Sequence, residues 1–182
     1  MNEFSNETAV VTAQPQSFFG LRVQDLMDIF KSQGKEKFRA QQLYQWVYQR
    51  ETADYDQMTN LSKKFRQELT GLFSFDLPKI VQDLKSVDGT RKFLFDVGDG
   101  RTVEAVLIPS DGRLTLCVSS EVGCNMGCRF CFTGKQKMTR RLRTDEIVGQ
   151  FVQATRAIKD SPDGLNRITN VVFMGMGEPL DN

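Results

Sequence analysis

Three cysteines, Cys124, Cys128 and Cys131, fall within eight residues in the spacing C-x3-C-x2-C, in a chain of 182 residues that has no histidine. A loop bearing three metal-ligand side chains needs a framework at both of its ends, so this stretch restricts the fold more than any other. Three thiolates hold three irons of a [4Fe-4S] cluster and leave the fourth iron with an open coordination position. Such an iron can chelate a small molecule through an amino nitrogen and a carboxylate oxygen and pass it an electron. On the residues alone a structural zinc site stays open, with Cys117 as its fourth ligand. Those sites usually pair two short Cys knuckles across a loop, whereas Cys117 stands seven residues upstream at the end of an apparent strand. A disulfide framework fits poorly, because 4 cysteines in 182 residues are sparse and the first residues lack the pattern of a secretory signal.

Hydrophobic residues make up 40% of the chain and charged residues 26%, enough to bury a core in one domain or in a small domain and part of another. No apolar stretch has the length needed to cross a bilayer, so a cytoplasmic protein with no membrane partner is expected. The 24 basic and 23 acidic residues balance, and only local charge can speak of nucleic acid.

Residues 1–17 are small and polar without a sustained period and read as a disordered leader. Val23, Leu26, Met27 and Phe30 then form a helical stripe that Gly34 can end, and Ala40, Leu43, Tyr44 and Val47 form a second beside Trp46. A third helix is expected from Ser62 through Phe65 and Leu69, giving a small all-helical accessory domain over residues 18–75. Lys35, Lys37, Arg39 and Arg50 flank these helices as solvated charges that could touch phosphates.

Residues 76–112 read as an antiparallel connector, with strands Ile80 to Val87, Lys92 to Val97 and Arg101 to Ile108 separated by Asp88-Gly89 and Gly98-Asp-Gly100. From residue 113 the pattern is that of an α/β unit. A strand from Leu114 to Ser119 leads into the cysteine loop, and a helix follows with Thr144 as N-cap and Ile147, Phe151 and Ile158 on its apolar face. Ser161-Pro-Asp-Gly164 breaks that helix, and Ile168 to Met174 is expected as a buried parallel strand. The cysteine loop then sits at the C-terminal end of a strand, where such folds place their chemistry. After the second strand comes Gly175-Met-Gly177-Glu178-Pro179, where glycines let a backbone approach a ligand and a carboxylate can receive an ammonium group.

The cysteine spacing, followed one βα unit later by that turn, resembles the radical S-adenosylmethionine (SAM) enzymes. The run from Leu116 to Cys124, the cysteine triplet, and the run from Asn170 to Leu180 are similar to the adenine carbon-2 RNA methyltransferases of the RlmN family. The resemblance extends from about Leu21 to the last residue and includes Arg101-Thr-Val-Glu104. The carbon-8 methyltransferases share the cysteine motif, but Pro179 and the helical domain favour the carbon-2 branch. The resemblance implies an N-terminal portion only: an α/β fold whose accessory helices and antiparallel strands lead into a partial (β/α)6 barrel that stops after its second strand. It implies that Cys124, Cys128 and Cys131 ligate the cluster, that Gly177 and Glu178 contact SAM, that Glu104 accepts a proton and that Cys117 forms a transient disulfide. The activity implied is methylation of carbon 2 of one adenine in large-subunit rRNA and one in tRNA. Two SAM molecules serve each turnover, one methylating a carrier cysteine and the other yielding a 5′-deoxyadenosyl radical, with an electron donor such as flavodoxin. The four cysteines present are already assigned, so the carrier is expected outside this chain and the fragment alone is expected to be inactive.

Lys135, Lys137, Arg140, Arg141 and Arg143 form a basic tract that reads equally as a phosphate-binding stretch or as a solvated loop. Phe130 and Phe132 are expected to shield the cluster from water. Another radical SAM enzyme or a zinc-bound nucleic-acid module remains the rival reading.

Overall fold

The computed structural model of the chain describes residues 15–159 and 166–182. Most of the expected leader and the expected helix break at residues 161–164 lie outside the described residues. The chain divides into two units, one made of the described residues through Phe18 with Val23–Ser74, the other of Phe19–Arg22 with Phe75–Asn182.

The first unit carries a short strand β1 (Gln16–Ser17), helices α1 (Val23–Ser32), α2 (Phe38–Tyr48) and α3 (Lys63–Leu72), and a strand β2 (Phe73–Ser74). Gln16 and Ser17 were expected in the leader, but β1 pairs in parallel with β2, and Phe18 beside it is fully buried. Leu26 and Phe30 of α1, Ala40, Leu43 and Val47 of α2, Phe65 and Leu69 of α3, and Met58 and Leu61 between the helices are all buried. The Phe30 and Phe65 rings pack edge to face at 5.5 Å. Gly34 follows α1 at φ +69°, a left-handed conformation that glycine adopts without strain. Ser62 caps α3, its hydroxyl accepting from the Phe65 amide at 3.3 Å.

The second unit is built on a five-stranded sheet in the order β3 (Lys79–Lys85), β4 (Arg91–Asp96), β5 (Thr102–Ser110), β6 (Arg113–Cys117) and β9 (Asn170–Val172). Its first three pairings are antiparallel hairpins and the last, β6 with β9, is parallel. A two-stranded ribbon, β7 (Glu121–Val122) with β8 (Arg140–Arg141), and helix α4 (Thr144–Ile158) lie between β6 and β9 in the chain. The period-2 residues Phe93, Phe95, Val103, Ala105, Leu107, Leu114 and Leu116 pack with Ala154 and Ile158 of α4. Residues opposite one another in this register share a face, so Leu94, Glu104, Val106, Cys117 and Val172 lie together on the other side.

Two expectations change. Thr144 is the first residue of α4 and not its cap; the Glu146 carboxylate reaches back to accept from the Arg143 amide at 2.7 Å. The strand near residue 170 is parallel but not buried, with Val171 45%, Phe173 48% and Met174 80% exposed. As the edge strand, β9 has a neighbour on one side only.

Candidate active site

The cysteine loop hangs from the β7–β8 ribbon, whose pairing of Glu121 with Arg141 and Val122 with Arg140 brings the loop's two limbs together. The Thr139 amide donates to the Val122 carbonyl at 2.7 Å and the Cys124 amide to the Gln136 carbonyl at 3.2 Å. Gly123 makes this closure possible: its φ is +82°, and a Cβ there would stand 2.4 Å from the Lys137 carbonyl oxygen. Farther round, the Cys131 amide donates to the Cys128 carbonyl at 3.1 Å, and a Cβ on Gly134 would stand 2.9 Å from that same oxygen.

All four cysteines are free thiols. Backbone amides of Gly134 and Thr133 donate to the Cys131 sulfur and hold its pKa below the ordinary thiol value. Backbone bonds set the shape of this loop, and among the described residues no three His, Cys, Asp or Glu side chains are gathered closely enough to hold a metal ion. Cys117 is the last residue of β6, whereas Cys124, Cys128 and Cys131 lie on the loop beyond β7. Phe130 is 94% and Phe132 75% exposed on this loop.

Glu104 and Cys117 stand on adjacent strands. Val106 is directly opposite Cys117, which makes Glu104, two residues away on the same face, its diagonal neighbour. The Glu104 carboxylate is half-exposed, and Lys92 lies 3.1 Å from its Oε1. Burial pushes the Cys117 thiol pKa up, partly offset by a hydrogen bond from the Met174 amide. The thiol form is therefore favoured at rest.

Past β9, the Gly175 to Glu178 turn docks on the segment leaving β6. The Gly175 amide donates to the Val118 carbonyl at 3.1 Å, and the Ser120 amide to the Met176 carbonyl at 2.9 Å. A Cβ on Gly175 would stand 2.7 Å from the Val118 carbonyl oxygen, and one on Gly177, at φ +103°, 2.7 Å from Glu121 Cβ. The glycines expected to admit a ligand thus also admit the chain's own atoms, backbone at Gly175 and the Ser120 and Glu121 side chains at Gly177. Glu178 Oε1 accepts from the Leu180 amide at 3.1 Å.

Three of the five residues of the basic tract are engaged within the protein. Arg140 makes a two-pronged contact with Glu146 at 2.8 Å and a bond to Asp99 at 2.7 Å; Arg141 pairs with Asp181 and Arg143 with Asp145. Glu146 is almost fully buried, so this pairing is structural. Lys135 and Lys137 stay exposed. In the helical unit Lys35 pairs with Glu68, while the Arg39 guanidinium lies over the Phe38 ring at 4.8 Å and that of Arg50 over Trp46 at 4.1 Å.

Sequence reasoning passed over the buried polar residues behind the turn, Ser119, Ser120, Glu121 and Gln150. Gln150 brackets Ser119, accepting from its amide at 2.9 Å and donating to its carbonyl at 3.0 Å. The signal was present as Ser-Ser-Glu immediately after an apolar strand, a place where polar side chains need partners.

Residues 17–74 match the family model described as the ribosomal RNA large subunit methyltransferase N-terminal domain. The chain is 63% identical over 169 residues to a protein of Bdellovibrio bacteriovorus called dual-specificity RNA methyltransferase RlmN, covering 93% of the chain and 41% of the relative. Relatives of the same name in Marinobacter nauticus and Saccharophagus degradans are 45% and 47% identical, again covering 93% and 96% of the chain but 46% and 45% of the relatives. The chain therefore spans less than half the length of these curated relatives. A crystal structure of a radical SAM methyltransferase from Sphaerobacter thermophilus superposes with a TM-score of 0.79 at 37% identity, covering 92% of this chain and 49% of that one. Over nearly all of its length the chain is therefore similar to the N-terminal portion of proteins called RlmN, and its residues 17–74 match the N-terminal domain of that family.

Proposed function

We propose that the chain is the N-terminal part of a radical SAM methyltransferase that methylates carbon 2 of an adenine in large-subunit rRNA and in tRNA. The observation that carries this reading is the convergence at the β6–β9 seam: β6 ends in the cysteine loop, and the turn after its parallel neighbour β9 folds back onto the same exit segment. A barrel that continues from β9 accounts for the exposed apolar residues on that strand. The loop fits an iron–sulfur group by its donor set, three thiols with no histidine or carboxylate among them, one of which is already biased toward thiolate.

Cys124, Cys128 and Cys131 would hold the cluster, which when bound supplies one-electron reduction to SAM. Gly177 and Glu178 would take the amino-acid end of that cofactor, the carboxylate receiving its ammonium group. Glu104 is the proton acceptor: Lys92 engages Oε1 and leaves Oε2 to take the proton from the substituted adenine carbon. Cys117, a buried thiol at rest, would resolve the protein–RNA adduct by attacking, once deprotonated, the sulfur of a carrier cysteine beyond the part matched here: the S–S bond forms as the S–C bond breaks, and the methyl carbon leaves with the electron pair and takes up a proton. RNA, an electron donor such as flavodoxin, and a cytoplasmic setting complete the proposal; no helix among the described residues is long and apolar enough to cross a membrane.

The test is anaerobic reconstitution of the chain with iron and sulfide. The expected product is brown and bleaches with dithionite; Cys124→Ala, Cys128→Ala and Cys131→Ala each abolish the colour, and Cys117→Ala leaves it. Stoichiometric zinc uptake with refusal of iron would sink the reading.

A further inference from the structure

Besides its backbone bonds to Val118 and Ser120, the Gly175 to Glu178 turn is held by two side chains. The β6–β9 ladder pairs Cys117 with Val172 at its end, and beyond it two side-chain acceptors meet the turn's amides. The Ser119 hydroxyl accepts from the Met176 amide at 2.8 Å and donates to the Glu104 carbonyl. The Glu121 carboxylate accepts from the Glu178 amide at 3.0 Å through Oε2. Glu121 is fully buried, and its Cβ and Cγ lie directly under Gly177, where a Cβ would come within 2.8 Å of both. Its other oxygen, Oε1, is buried with no hydrogen-bond partner among the described residues. Burying a carboxylate with one oxygen unanswered is costly, and the bond made by its other oxygen offsets part of that cost. That oxygen fixes the peptide whose own side chain is the candidate receptor of the cofactor's ammonium.

We propose that Glu121 is a positioning residue for the cofactor turn: by holding the Glu178 amide from beneath Gly177 it sets where the Glu178 carboxylate points. The proposal rests on the reading of Gly177 and Glu178 as cofactor contacts. The role needs an acceptor, not a charge. Glutamine at this position therefore serves as well as glutamate, while methionine, of similar size and without a strong acceptor, does not.

Two measurements on Glu121→Gln and Glu121→Met test it. Hydrogen exchange at the Glu178 amide is expected to stay protected in the glutamine variant and to lose its protection in the methionine variant; protection retained with methionine overturns the proposal. Binding of labelled SAM by equilibrium dialysis is expected to weaken about tenfold with methionine and to hold within about twofold with glutamine. Equal affinity in all three proteins overturns the positioning role. So does a glutamine variant as weak as the methionine one, because the carboxylate itself would then contact the ligand. If the parent chain binds no SAM, the exchange measurement alone decides whether Glu121 holds the Glu178 amide. Should the methionine variant not fold, faster exchange of the Glu178 amide in the glutamine variant overturns the proposal and unchanged exchange supports it.

Discussion

Arg140 shows how a single residue can change meaning between sequence and structure. In the sequence it belongs to a run of cations that invites a phosphate. In the fold its guanidinium sits between Asp99 and the buried Glu146, whose carboxylate also caps α4. The hydrogen bond from Arg140, joined by one from Arg101 and opposed by desolvation, lowers the Asp99 pKa from 3.8 to about 2. The folded value lies below the unfolded one, so the contribution is fully present above pH 3.8 and is lost as pH falls toward 2. Thermal melts between pH 4 and pH 2 are expected to fall less steeply for Asp99→Asn than for the parent, and identical slopes would refute the assignment. Gly123 is the other decisive single position. With the Lys137 backbone 2.4 Å from a would-be Cβ, Gly123→Ala is expected to open the neck of the cysteine loop and raise the reactivity of Cys124 and Cys131 toward alkylating reagents.

Among the elements, helix α3 offers the simplest measurement. Ser62→Ala removes the acceptor for the Phe65 amide and is expected to cost about 1 kcal/mol in urea denaturation, with Ser62→Asp restoring most of it. The helices of the first unit were legible because the i, i+3, i+4 spacing of Val23, Leu26, Met27 and Phe30 is a local signal. The strands were legible for the same reason, since alternation and the Asp88-Gly89 turn lie within a few residues of one another. The β1–β2 pairing was not, because its partners are separated by nearly the whole helical unit and each strand is only 2 residues long. The exposure of β9 was also hidden: an apolar run reads as buried whether or not a neighbour covers it. Within the candidate site the cysteines and the Gly-Glu turn announced themselves by spacing. Glu121 and Gln150 did not, because a buried polar residue becomes visible only when its hydrogen-bond partners are known.

For the molecule as a whole, the edge at β9 is the largest departure from an ordinary domain. One face of the sheet is sealed by α4 and the other carries half-buried Leu94, Glu104 and Val106 and buried Cys117, while Phe173 and Met174 just past β9 stay exposed. Phe173→Ser is expected to reduce binding of a hydrophobic dye to the chain without lowering its melting temperature; an equal dye signal would mean that the exposed side chain is covered in solution. The change from antiparallel to parallel pairing at β6 also governs the order of assembly. Partners across β4 and β5 are close neighbours along the polypeptide, whereas Thr115 must find Asn170 only after the ribbon, the cysteine loop and α4 have been spooled out. The hairpins therefore supply a template before the long excursion closes, and the last join to be made is the one that brings the two halves of the chemistry within reach of each other.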